Sequence, residues 1–205
     1  MPDATSLFCR TEFSLPINLA NISSGVYSVY AMNAAFHTLT FPLAIMLNIL
    51  VIVAVKTKRP LRTKSNISLA CLATTDFAVG LIVQPLNIII FISIHIDGKT
   101  QTMTCTFIKV SNIIGQTCVT ASLFHMFLIS GERYLSIKHP FAYENGLVTE
   151  ARIIMASGLA WMCALIIFNI NTDFFKGLEV FLSVAAISAV VYFHIVVYKE
   201  VRRNA

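Results

Sequence analysis

The 205-residue chain is strongly apolar, since 57% of its residues are hydrophobic and only 12% are charged. Soluble globular domains carry about 25% charged residues, so this composition excludes an ordinary soluble domain. The formal net charge is +5. The basic residues lie beside apolar segments, which indicates anionic lipid and a fixed membrane orientation as the reason for this charge, rather than nucleic acid.

Five segments are long and apolar enough to cross a bilayer as helices. The hydrocarbon core needs roughly 20 helical residues, and backbone groups inside it must be hydrogen-bonded within the segment. The sequence therefore predicts an all-α, multi-pass bundle of transmembrane helices. In chain order the segments are 34–55, 67–96, 110–131, 153–171 and 180–198.

The distribution of basic residues predicts the orientation. Of the 15 Lys and Arg residues, 11 lie after the first, third and fifth segments, and four lie on the other side. The positive-inside rule then places the N-terminus outside the cell. We expect a plasma-membrane protein with an extracellular tail, residues 1–30, followed by a membrane domain, residues 31–205. Asn21 begins an Asn-Ile-Ser sequon in this tail and is a candidate glycosylation site.

Polar residues inside the apolar segments are candidates for function, because a charge at the bilayer centre costs on the order of 3 kcal/mol. Asp76 is the one acidic residue in the middle of a predicted helix, while Asn48 and Ser122 lie deep in the first and third helices. Glu132 and Arg133 adjoin at the end of the third helix. From the residues alone, Asp76 is either an ion site or part of a polar contact that joins helices.

These residues belong to a series of short motifs in a characteristic order. The series is Asn48, Leu72-Ala73-Thr74-Thr75-Asp76, Glu132-Arg133-Tyr134, Pro140, Trp161 and Tyr192. In order and spacing, and over almost the whole chain beyond the tail, the series resembles class A, rhodopsin-like G-protein-coupled receptors. The resemblance implies that the chain carries the first five of the family's seven helices.

The resemblance also implies functions for particular residues. It implies a receptor that senses an extracellular ligand and signals to a heterotrimeric G protein. The implied activation switch is Glu132, Arg133, Tyr134, Pro140 and Tyr192. In this switch Arg133 pairs with Glu132 at rest and reaches the G protein in the active state.

The other implied roles are an ion pocket and a structural position. Asn48, Asp76 and Ser122 resemble the family's sodium pocket, and sodium is the one cofactor implied. Trp161 is the family's structural tryptophan in the fourth helix, 28 residues after Arg133.

The third helix also carries the candidate ligand residues. Gly115 stands where receptors for monoamines place an aspartate, so the resemblance implies a ligand that is not an amine. The candidate pocket residues on this helix face are Asn112, Gly115, Gln116 and Val119, and packing against another helix is the alternative role for them. Cys9 and Cys105 are the two cysteines that the topology places outside, where oxidising conditions favour a disulfide; two free thiols are the alternative.

Two other functions are compatible with the sequence. A chain that stops after the fifth helix is expected not to activate a G protein alone. It would instead be a non-signalling form that is retained in the endoplasmic reticulum or associates with other receptors. A small ion-coupled transporter using Asp76 is the second alternative, although we find no internal repeat. An enzyme is not expected, because the sequence has no nucleophile–base pair and no phosphate loop. His125 is expected to pack or to hydrogen-bond across helices.

The orientation gives a direct test. An epitope tag fused before Met1 should be stained by antibody on intact cells, because 11 of the 15 basic residues lie on the opposite side of the membrane. A tag after Ala205 should be stained only after permeabilisation. The reverse pattern would show that the orientation is wrong.

Overall fold

The computed structural model describes residues 8–9, 17–18, 24–96, 101–169 and 173–204. Ten helical elements follow one another in this part of the chain. They are α1 (Ser24–Thr57), a 3-10 turn (Arg59–Leu61), α2 (Lys64–Ala78), a π-helical turn (Val79–Val83), α3 (Gln84–Ile96), α4 (Gln101–Lys138), α5 (Pro140–Ala142), a second π-helical turn (Tyr143–Leu147), α6 (Glu150–Asn169) and α7 (Asp173–Asn204). In the tail, β1 (Phe8–Cys9) pairs antiparallel with β2 (Ile17–Asn18), with Cys9 opposite Ile17.

Within the described residues, five helices are long and apolar enough to span a membrane, which confirms the all-α prediction. They are Tyr27–Thr57, Lys64–Ser93, Thr106–Lys138, Glu150–Ile167 and Val180–Arg203. Most of these helices run beyond the predicted apolar segments, because helical backbone continues until a residue breaks it. Pro140 breaks α4: His139, the residue before it, has φ −131° and ψ 59°, since a following proline disfavours helical backbone.

The second spanning helix contains a π-helical turn just before Pro85. Proline lacks an amide hydrogen, and its ring clashes with the carbonyl four residues earlier. The helix widens over Val79–Val83, where the Gln84 amide donates to the Val79 carbonyl five residues back. The helix therefore accommodates Pro85 by a wider turn, after which α3 continues.

The chain divides into two compact units, Met1–Ile45 with Ala78–Gly115, and Met46–Phe77 with Gln116–Ala205. In the first unit, Ile90 and Ile108 are buried together against Tyr30 and Phe107. In the second unit, the buried residues that the structure describes are small or polar, apart from Ile67. They include Ala73, Thr75, Cys118, Ala121, His125, Ser157, Ala160 and Ala164. Small residues allow membrane helices to approach closely, while large apolar side chains face lipid.

Gly80 allows one close helix contact in the first unit. A Cβ atom at this position would lie 3.1 Å from Ala44 Cβ and 3.3 Å from the Ile45 backbone nitrogen. A backbone atom cannot move aside as a flexible side chain would. Any larger residue must therefore push this part of α1 away from the π-helical turn.

We expect Gly80→Val to lower the free energy of unfolding by roughly 1–3 kcal/mol, the usual cost of overpacking a close contact. Gly158→Val is the matched control, because a Cβ atom at Gly158 meets nothing within 4 Å. Thermal unfolding in detergent compares the two variants. Equal losses of stability would contradict the close contact.

Candidate functional site

The end of α4 places Glu132 and Arg133 in different environments. Glu132 is buried, with 6% of its surface exposed, and Arg133 is exposed. Adjacent helical residues point about 100° apart, so the two side chains do not face each other. Among the residues that the structure describes, Arg133 forms no ion pair. The Glu132–Arg133 pair that the resemblance implies is therefore not formed in this structure.

Glu132 instead accepts a hydrogen bond from the loop that follows α4. The Tyr143 hydroxyl donates to Glu132 Oε1 at 2.8 Å. Burial, together with the hydrogen bond to Glu132 and its negative charge, raises the pKa of Tyr143 above its usual value of 10.0. The phenol therefore keeps its proton at neutral pH and serves as a donor.

Lys64, the first residue of α2, fixes Tyr143 from a second side. Its Nζ donates to the Tyr143 carbonyl at 3.0 Å and lies 4.3 Å from the centre of the Tyr143 ring. A cation over an aromatic face is attracted to the ring. Tyr143 thus connects α2 to Glu132 on α4.

The rest of the loop is held by backbone contacts. Pro140 begins α5 and is exposed. Gly146 has φ +88°, a conformation that residues with a Cβ rarely adopt. The Arg152 guanidinium donates to the carbonyls of Gly146 and Leu147, both at 2.8 Å. These bonds tie the loop to α6, so the position of Tyr143 is set by contacts at both ends.

The ends of α4 and α7 also meet. Lys138 Nζ lies 3.4 Å from Glu200 Oε2, and the Tyr134 and Phe193 rings are 5.1 Å apart. Tyr192, the predicted switch residue on α7, has 57% of its surface exposed. Tyr134 therefore packs against Phe193, while the Tyr192 side chain points outward.

A second polar group lies in the interior. Ser122 Oγ donates to Thr75 Oγ1 at 3.1 Å, which links α4 to α2. His125, 1% exposed, has Nδ1 2.7 Å from the Ala121 carbonyl and Nε2 2.7 Å from Ser157 Oγ. A carbonyl only accepts, so Nδ1 carries the proton and the neutral ring accepts from Ser157. His125 thus hydrogen-bonds across helices, as predicted.

Asp76 is half-buried next to this group. It interacts electrostatically with His125 and with Cys118 on α4. A carboxylate is a ligand suited to a hard cation. The described residues contain no cluster of three or more His, Cys, Asp and Glu side chains. The Asp76 carboxylate alone fits an alkali cation, and the sodium pocket that it would form with Ser122 and half-buried Asn48 stays a prediction.

The remaining predicted residues occupy single positions. Trp161 is half-buried on α6, Asn112 and Val119 are exposed on α4, and Gly115 and Gln116 are half-buried there. Asn21 lies outside the described residues, as do the side chains of Cys9 and Cys105. Glycosylation and the disulfide remain predictions.

Sequence reasoning did not assign the site roles of Tyr143 and Ser157. Helical spacing could have indicated part of the interior group, because Cys118, Ser122 and His125 recur at intervals of four and three residues on one face. No spacing rule predicts Tyr143, which reaches Glu132 through a loop.

The Tyr143–Glu132 bond can be measured by a double-mutant cycle. Tyr143→Phe leaves a buried carboxylate with one partner fewer, so we expect it to lower the free energy of unfolding by about 1–3 kcal/mol. In a Glu132→Gln background the loss should be smaller. Tyr198→Phe, at a residue 65% exposed, is the control. If Tyr143→Phe costs no more than the control, the bond does not contribute to stability.

The chain is similar to a known receptor family. The sequence profile described as 7 transmembrane receptor (rhodopsin family) matches residues 47–176. The adenosine receptor A2b of Rattus norvegicus is 31% identical over 147 residues, 72% of this chain and 41% of the receptor. The adenosine receptor A3 of Canis lupus familiaris is 34% identical over 124 residues, 60% of this chain and 37% of that receptor.

Receptors named for amines also match. The D(1B) dopamine receptor of Rattus norvegicus is 32% identical over 137 residues, 66% of this chain and 27% of that receptor. The chain thus spans well under half the length of these three curated relatives. The family profile covers more than half of the chain and overlaps the first four of the five membrane-length helices that the structure describes. The chain is therefore a multi-pass membrane protein of the rhodopsin family of G-protein-coupled seven-transmembrane receptors, a family of non-enzymatic receptors.

Proposed function

We propose that this chain is part of a receptor that senses an extracellular ligand and passes a conformational signal to a heterotrimeric G protein at the end of α4. The observation that carries this proposal is the contrast between two neighbours. Glu132 is buried and bound by Tyr143, while Arg133 is exposed and forms no ion pair among the described residues. An exposed guanidinium is a strong donor for backbone and carboxyl-terminal oxygens of a partner.

The resting state is held by the Tyr143–Glu132 bond rather than by a Glu132–Arg133 pair. This bond fixes the loop against α4 and leaves Arg133 at the surface. A ligand shifts the equilibrium between resting and active states only through different affinities for the two. Movement of α4 relative to the loop would break the bond and change the surface around Arg133, which couples ligand binding to the G-protein contact.

Asp76 is the proposed ion site of this switch. Asp76, Ser122 and Asn48 would hold a sodium ion, which supplies the positive charge that a carboxylate in low dielectric needs. Ser122 already bonds to Thr75, the neighbour of Asp76.

The ligand is proposed to be something other than an amine. A protonated amine inside a membrane protein needs a carboxylate partner, and α4 contains no acidic residue before Glu132. Gly115 takes the position where an acid would serve. Relatives named for adenosine and relatives named for amines match comparably. The proposal of a ligand other than an amine therefore rests on the lack of an acidic residue on α4 before Glu132.

The proposed membrane placement matches this function. The extracellular N-terminus places the end of α4, with Arg133, at the cytoplasm of the plasma membrane, where G proteins reside. The exposed basic residues near it include Lys138 and Arg152.

A chimeric receptor tests the proposed switch. Residues 127–152, which include the end of α4 and the loop, would replace the aligned segment of the Rattus norvegicus adenosine receptor A2b. We expect adenosine-driven nucleotide exchange on the G protein, and a loss of about tenfold or more in Arg133→Ala, the scale of a charge-assisted hydrogen bond.

Lys138→Ala is the matched control, because it removes an exposed cation whose partner Glu200 lies outside the transplanted segment. It should leave exchange near the level of the chimera. Exchange that is unchanged by Arg133→Ala would exclude this residue from the coupling surface.

A further inference from the structure

A cavity of about 420 Å³ lies in the second unit between α2, α4, α6, α7 and the loop that follows α4. We call it the inner cavity. Most of its lining is apolar and includes Phe127, Leu135, Leu147, Ile153 and Phe193. Its volume falls within the range of small-molecule pockets, roughly 300–1,000 Å³.

Glu132 belongs to this lining and has one unsatisfied oxygen. Oε1 accepts from Tyr143 at 2.8 Å, but Oε2 is buried without a hydrogen-bond partner. A buried polar atom without a partner costs about 1–3 kcal/mol, and more if it is charged. Because Glu132 is part of the lining and the last torsion of a glutamate is soft, Oε2 is available to a donor in the cavity. The inner cavity therefore combines an apolar body with one acceptor that lacks a donor.

Two other polar side chains of the lining, those of Arg152 and Ser68, already have partners. The Arg152 guanidinium donates to Gly146 and Leu147 carbonyls, and Ser68 Oγ donates to the Lys64 carbonyl at 3.3 Å. Neither group calls for a further ligand atom. Glu132 Oε2 is the acceptor of this lining that lacks a hydrogen-bond donor. A cationic donor forms a stronger hydrogen bond to a carboxylate than a neutral donor does.

We propose that the inner cavity binds a small, mainly apolar molecule that carries one protonated amine, with the ammonium group on Glu132. This site differs from the proposed extracellular ligand site. Glu132 lies near the C-terminal end of α4, whereas the earlier part of α4, where the extracellular ligand would bind, contains no acidic residue. Its existence does not depend on the proposed G-protein coupling. The amine would contact the carboxylate that Tyr143 holds, and the apolar body would lie against Phe127 and Phe193.

Three fluorinated probes of matched size test this proposal. They are 4-(4-fluorophenyl)butylamine, 5-(4-fluorophenyl)pentanoic acid and 1-fluoro-4-pentylbenzene. Fluorine NMR measures their binding to the full 205-residue chain in nanodiscs, with empty nanodiscs to subtract partition into lipid. We expect the amine to bind at least tenfold more tightly than the acid and the hydrocarbon.

Two variants locate the site. Ala156→Phe fills the cavity, since Ala156 is part of its lining, and should abolish specific binding. Ala151→Phe adds the same side chain at an exposed residue outside the lining and should leave it unchanged. Glu132→Gln should weaken the amine about tenfold, whereas Glu144→Gln, at an exposed acid, should not.

The outcomes separate the possibilities. Equal binding of amine and hydrocarbon, or tighter binding of the acid, would overturn the assignment of an amine. Equal amine binding to Ala156→Phe and Ala151→Phe would overturn the location. Circular dichroism checks that both phenylalanine variants are folded, and if Ala156→Phe is not, the comparison of Glu132→Gln with Glu144→Gln decides. Loss of G-protein coupling in the chimera would leave this binding result unaffected.

Discussion

Inside hydrocarbon there is no water to satisfy a polar group, so each buried donor or acceptor must find its partner within the protein. This constraint explains why the spanning segments are helical. It also explains the two polar groups on α4. His125 meets it fully, with one ring nitrogen on the Ala121 carbonyl and the other on Ser157. Glu132 satisfies this constraint at one of its two oxygens: Oε1 accepts from Tyr143, and Oε2 has no partner. The free oxygen of Glu132 is the basis of the proposed cavity ligand, and its bond to Tyr143 is the basis of the proposed switch.

The burial of Glu132 also accounts for the exposure of Arg133. The helical geometry that buries Glu132 against the loop turns Arg133 outward. The Glu132 carboxylate therefore cannot bind Tyr143 in the interior and pair with Arg133 at the same time. A tyrosine hydroxyl is a neutral donor and compensates the carboxylate less than a guanidinium would. The contact is therefore weak enough to be exchanged, and an exchangeable contact is what a two-state switch requires.

Composition and apolar runs predicted the five helices, because the bilayer fixes the length and polarity of any spanning segment. The same reasoning could not predict the π-helical turn at Val79–Val83, since Pro85 permits either a kink or a wider turn. At the site, the motif order indicated Glu132, Arg133 and Asp76 but gave the wrong partner for Glu132. The partner, Tyr143, lies 11 residues away across a loop. The position of Tyr143 depends on Gly146, Arg152 and Lys64, and a periodic sequence pattern does not predict contacts of this kind.

The inner cavity and the proposed switch share one carboxylate, and this has a thermodynamic consequence. A ligand amine on Glu132 either joins the Tyr143 hydroxyl by using the second oxygen or competes with it for the first. In the first case the ligand stabilises the state in which the loop is closed on α4; in the second it favours the state in which the loop is released. Thermodynamic linkage makes this coupling reciprocal: the factor by which the ligand changes the equilibrium constant for loop closure equals the factor by which loop closure changes the affinity for the ligand. Because the loop is tied to α2 through Lys64 and to α6 through Arg152, a single small molecule at Glu132 would act on three helices at once.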